Sequence, residues 1–70
     1  MNKNRDPNLT FTEKKLLQLL SQGLTKEEVA QQLKVSKHTA DGYLRKVFEK
    51  LDVHSTVAAV SESMRNGEIK

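Results

Sequence analysis

Cysteine and tryptophan are absent from this sequence, proline occurs once, glycine three times, and the aromatic side chains are Phe11, Tyr43 and Phe48. Without cysteine there is no disulfide staple, thiolate nucleophile or thiolate metal site, a composition that suits a reducing compartment. His38 and His54 stand far apart in the chain, whereas two metal-binding histidines on one helix are expected about three or four residues apart, so no metal or other cofactor is expected. No apolar run approaches the length of about 20 residues that spans a bilayer. The polar start Met1-Asn2-Lys3-Asn4-Arg5-Asp6-Pro7-Asn8 has no apolar core of a secretory signal. The cytoplasm is therefore the expected compartment, with no membrane partner. No nucleophile, base and orienting group occur at suggestive positions, and an enzyme is not expected.

What remains is a chain of 70 residues, enough for one small domain, with 36% hydrophobic residues to fill a mainly aliphatic core. Twelve basic residues against nine acidic give a net charge of +3, a mild bias that suits a polyanion without demanding one. Residues 1–8 offer nothing to bury and read as a flexible lead or linker, in which Lys3 and Arg5 are candidates for a minor-groove arm. Residues 9–70 form the folded domain.

Local signals divide that domain into four helices. Thr10 and Glu13 have the spacing of a capping box, and Leu16, Leu17 and Leu20 follow at helical intervals up to Gly23, which can end the helix in the left-handed region. A second box, Thr25 with Glu28, opens a helix whose buried stripe is Val29, Ala30 and Leu33. Lys34-Val35 is a tight connection, and Ser36 caps a third helix running to about Leu51. There Ala40, Tyr43, Leu44, Val47 and Leu51 share the core face, while His38, Asp41, Gly42, Arg45 and Glu49 project oppositely. Ser55 caps a fourth helix that carries Val57, Ala59, Val60 and Met64 and ends at Gly67. The fold class is all-α: a compact four-helix bundle containing a helix-turn-helix and no wing.

Two short helices joined by a tight turn, the second polar outside, suit double-stranded DNA because a major groove about 12 Å wide admits one helix. Lys37, His38 and Thr39 occupy the first turn of the third helix. Arg45 is the leading base reader, since its planar fork can pair bidentately with guanine. Lys46 and Lys50, to one side, are expected to neutralise phosphates, with Lys37. His38 is either a contact to DNA or an exposed helix-start residue, and Tyr43 is expected to pack. Asp41 repels phosphates unless it accepts from cytosine N4 or pairs with Arg45 one turn on.

From Leu9 to Ile69 the chain resembles the LuxR-type, or GerE-like, helix-turn-helix domain of bacterial transcription regulators. The resemblance is carried by Leu9-Thr10 with Glu13, Leu16-Leu17 through Gly23-Leu24-Thr25, Glu28-Val29-Ala30 with Leu33, Val35-Ser36 with Thr39, Lys50-Leu51 with Val53, and Ala59 with Gly67. It implies DNA reading by the third helix, with base contacts from Asp41, Gly42 and Arg45 and phosphate contacts from Thr25, Lys26, Thr39 and Lys50. It also implies dimerisation through the fourth helix, on which Val57 and Met64 lie about one heptad apart; the alternative is that both complete the core. Further implied partners are an N-terminal receiver or sensor domain in a longer parent chain, and RNA polymerase. Departures from the family pattern cluster on the third helix. Ala40 stands for a usual valine, Asp41 for a common lysine, Gly42 for a common polar residue and Tyr43 for a common histidine. Thr12 and Thr56 replace usual arginines. Two alternatives remain at this point: region four of a sigma factor, and a protein-interaction module whose groove face Asp41 and Gly42 have altered.

Overall fold

The computed structural model describes residues 9–69, so the expected lead and its Lys3 and Arg5 lie outside the described part. Four helices follow one another: α1 (Phe11–Ser21), α2 (Lys26–Leu33), α3 (Lys37–Leu51) and α4 (Thr56–Arg65). Each begins where a hydroxyl side chain can satisfy a backbone N–H that has no partner within the helix. Thr10, Thr25, Ser36 and Ser55 accept from the N–H groups of Glu13, Glu28, Thr39 and Ala58, at 3.0 to 3.1 Å. At α1 and α2 the glutamate returns the bond, with Glu13 accepting from Thr10 N–H at 2.9 Å and Glu28 from Thr25 N–H at 2.8 Å.

All four helices also end alike, in a left-handed residue followed by an N–H that reaches back five positions. Leu24, Val35, Val53 and Glu68 donate to the carbonyls of Leu19, Ala30, Phe48 and Ser63, at 2.8 to 3.4 Å. The left-handed residue is Gly23 at φ 93° and Gly67 at φ 79°, as expected, but Lys34 at φ 61° and Asp52 at φ 58° serve the other two ends. The sequence places both stops, but a lysine or an aspartate does not announce the left-handed conformation as glycine does.

The turns are short, and each helix buries one stripe against its neighbours. Leu17, Val29, Val47 and Leu51 are sealed from solvent, and Leu9, Leu16, Leu44, Ala59 and Ile69 complete the core. Tyr43 and Phe48 pack against its edge. Both α1 and α3 touch all three other helices. Leu9 and Ile69, at opposite ends of the described chain, are both buried, so the core extends beyond the helices that supply most of it.

Among the described residues, two polar ones lie in this interior. Ser63 is satisfied within its own helix, its hydroxyl donating to the Ala59 carbonyl at 2.7 Å. Glu13 is 4% exposed, and its Oε1 accepts from Lys50 Nζ at 2.7 Å, tying the start of α1 to the end of α3. Burial acts to raise the Glu13 pKa, but the hydrogen bonds from Lys50 and Thr10 and the Lys50 charge outweigh it, leaving the carboxyl below its ordinary 4.5.

Candidate nucleic-acid interface

The α2–turn–α3 unit sets the direction of the exposed face of α3. Lys34 closes α2 in the left-handed region, Val35 is half-buried, and Ser36 starts α3 immediately, so the two helices pack directly on each other. Ala40, Leu44, Val47 and Leu51 face the core, while Lys37, His38, Arg45, Lys46 and Glu49 are exposed on the other side. Asp41 and Gly42 are half-buried beside Arg45. Nothing lies within 4 Å of where a Cβ on Gly42 would stand, so packing does not require glycine there. Its cost to helix stability, about 1 kcal/mol relative to alanine, has no compensating contact within the fold.

Five of the expected contact residues, Thr25, Lys26, Thr39, Asp41 and Lys50, have partners inside the protein. The Thr39 hydroxyl accepts from Ser36 Oγ at 3.0 Å while the Thr39 N–H donates to the same oxygen at 3.0 Å, so Thr39 helps fix the first turn of α3. Lys50 leans off the exposed face toward α1, where Glu13 holds its ammonium. On the helix Lys50 lies about 40° round from Lys46, as expected, but its ammonium is also engaged by Glu13 of α1. Asp41 does not pair with Arg45. Its Oδ1 faces α2 and lies 3.6 Å from Lys26 Nζ, because position 41 is on the α2 flank of α3 and Lys26 is the first residue of α2. That oxygen is shielded from solvent and has no hydrogen-bond partner among the described residues. Thr25 is exposed, with its hydroxyl accepting at the α2 cap.

The surface that remains is a ridge with Lys37 and His38 at its start, Arg45 at its centre and Lys46 alongside. Among the described residues, no ion pair engages Lys37, Arg45 or Lys46. The family model for bacterial regulatory proteins of the luxR family matches residues 7–63. The chain belongs to that family.

Relatives of this LuxR-family domain include the spore germination protein GerE of Bacillus subtilis, 34% identical over 64 residues, which span 91% of the chain and 86% of GerE. The transcriptional regulatory protein DesR of the same species is 34% identical over 62 residues. The uncharacterized response regulatory protein YgeK of Escherichia coli is 36% identical over 62 residues. The match spans 42% of YgeK and 31% of DesR, so these two relatives are much longer than the aligned part. The solved structure of the transcription factor GerE superposes with a TM-score of 0.85 at 31% identity, covering 89% of this chain and 92% of that one. The family match removes the sigma-factor alternative.

On α4 of this LuxR-family domain, Val57 is 77% exposed and Met64 45%, so neither completes the core. They lie on one face because seven residues make nearly two full helical turns. Phe11, at the start of α1, is 81% exposed. Sequence reasoning identified Glu13 only as half of a capping box and missed its tie to Lys50, for which no local signal exists across 37 positions. It also missed Lys26 as the partner of Asp41, since that pair joins two helices rather than two turns of one.

Proposed function

We propose that this domain binds double-stranded DNA sequence-specifically by seating the exposed face of α3 in the major groove, and that it regulates bacterial transcription without catalysis from the cytoplasm. The observation that carries the reading is Arg45, exposed at mid-helix, backed by a rigid core face and flanked by Lys46. An α-helix with its side chains is about 10 to 12 Å across and the groove is about 12 Å wide, so α3 enters only if no other element stands in front of its outer face. The buried positions of α3 all point inward, which leaves that face clear.

In this reading Arg45 donates bidentately to guanine, with His38, Asp41 and Gly42 beside the base edges. Lys37, Lys46, Thr25, Lys26 and Thr39 lie toward the phosphate backbones and set position and affinity. Lys50 acts from inside, holding α3 against α1. Two copies pair through Val57 and Met64 on α4, which suits binding to paired half-sites. The greater length of the relatives YgeK and DesR supports a place for such a domain behind a receiver domain in longer regulators.

Sedimentation velocity tests both parts of this proposal. With a random-sequence duplex, the chain is expected to co-sediment at about 50 mM salt and to be released by about 200 mM, since neutralised phosphates give affinity a steep salt dependence. Without DNA, high concentration is expected to yield a dimer that Met64→Glu converts to monomer. Absence of co-sedimentation at every salt concentration would leave a protein-interaction module instead, and an unshifted monomer in both samples removes the α4 pairing.

A further inference from the structure

We infer that Asp41 is a specificity-determining residue that exchanges Lys26 for a base. Off target it retains the Lys26 ammonium; at a cytosine whose N4 amino group donates to Asp41, Lys26 is released to a phosphate. This inference rests on the DNA-binding reading above.

The inference starts from one oxygen. Asp41 Oδ1 is shielded from solvent, accepts no hydrogen bond among the described residues, and has Lys26 Nζ at 3.6 Å, an ion-pair distance beyond hydrogen-bond reach. The Asp41 side chain as a whole is 36% exposed, so a base meets its exposed part, and Oδ1, closed to water, gains an N–H only when the carboxylate turns away from Lys26. In the major groove, N–H donors come from the amino groups of cytosine and adenine. Adenine sets its N7 acceptor beside the amino group, where the second carboxylate oxygen would be repelled, and cytosine does not.

The neighbours of Asp41 suit that contact. An aspartate side chain is short, so it reaches a base edge only if the helix backbone comes close. Gly42, next to it on the half-buried edge of the exposed face, has no side chain to hold a duplex away and no contact of its own that calls for glycine. Arg45 follows one turn on, so the two residues can read a cytosine and a guanine from one helix edge.

The exchange also fixes what happens on an arbitrary sequence. Where no amino donor meets Asp41, Lys26 remains its counter-ion and is shared between the carboxylate and the phosphates, so Asp41 lowers non-specific affinity by more than its own charge. A cation that pairs with protein in the free chain and with DNA only at the target widens the gap between specific and non-specific binding.

Four proteins test this: the unaltered chain, Lys26→Gln, Asp41→Ala and the double variant, each checked for native helicity by circular dichroism. Binding is measured over a salt series on a random duplex and on a duplex that the unaltered chain enriches from a random pool. On the random duplex, Lys26→Gln is expected to reduce the salt slope by less than the same substitution does on the enriched duplex, because off target Asp41 still holds part of the ammonium's charge. Asp41→Ala is expected to tighten binding and to steepen the slope of log K against log salt by about 0.9, the contribution of one more phosphate, and the double variant loses that gain. On the enriched duplex, exchanging the critical cytosine for thymine puts an acceptor where the donor stood; this weakens the unaltered chain by about tenfold or more and leaves Asp41→Ala unchanged. Equal slopes for Asp41→Ala and the double variant, or the same cytosine preference with and without Asp41, overturn the exchange while DNA binding stands. A folded, unaltered chain that binds neither duplex at low salt overturns the DNA-binding reading, and the exchange with it.

Discussion

Lys50→Met is expected to destabilise the domain by about 2 to 3 kcal/mol, read as the free energy of urea unfolding. Removing one member of a buried ion pair costs about 3 to 5 kcal/mol because the other charge is left desolvated. The figure here is discounted because the Lys50 side chain is 31% exposed while that of Glu13 is only 5% exposed, so water reaches one side of the pair. Glu13 would keep the Thr10 N–H as a donor, which softens the loss further. A domain of this length has a total stability of about 4 to 10 kcal/mol, so the melting temperature should fall by about 10 to 20 °C. Glu13→Gln combined with Lys50→Met should recover part of the loss, because a neutral amide restores the capping box without a stranded charge.

The same pair sets an acid response. The folded state holds the Glu13 pKa below 4.5, so its contribution is complete above that value and is lost as pH falls through the lower folded value. Acidification from neutrality toward pH 3 should therefore destabilise the unaltered chain. In Lys50→Met the main opposition to burial is gone, the Glu13 pKa rises, and protonation now favours the folded state. That variant should lose less stability on acidification, or gain some, and parallel acid profiles for the two proteins would mean that Lys50 does not hold the carboxylate ionised.

The largest effect on binding is expected from Arg45→Ala. A bidentate guanine contact carries about 1 to 3 kcal/mol of discrimination, so affinity for an enriched duplex should fall by about 5-fold to 150-fold, while affinity for random duplex falls far less. A duplex selection repeated with the variant should lose its guanine at one position. Lys46→Ala provides the contrast, since a phosphate contact weakens all sequences alike and reduces the salt slope by about 1. If Arg45→Ala weakens random and enriched duplexes equally, Arg45 is a phosphate contact and the base reading belongs elsewhere on α3. Neither substitution should alter stability much, because both side chains are exposed.

How far the sequence predicts this molecule depends on the range of each interaction. Helix starts are legible at Thr10, Thr25, Ser36 and Ser55 because a cap and its target lie only three residues apart. The core stripes at Leu16, Leu17, Val47 and Leu51 follow from helical periodicity alone. Ends of helices are legible in place but only half legible in conformation, since Gly23 and Gly67 announce a left-handed residue and Lys34 and Asp52 do not.

Contacts between helices are where periodicity fails. A wheel drawn from the sequence puts Asp41 near Arg45 but cannot say that α2 delivers Lys26 to it, nor that α1 brings Glu13 to Lys50. Exposure on α4 is likewise a tertiary fact. Val57 and Met64 share a face in any helix, but only packing of α4 on α1 and α3 decides that the face is open.

Chemical-shift mapping of the chain with an added duplex tests the central claim most directly, because it reports which surface meets DNA whatever the sequence preference. The account predicts that perturbations concentrate on the outer side of α3, from Lys37 through Lys46, and at the start of α2. Perturbations confined to α4 or to the Phe11 side of α1, with α3 silent, would contradict it.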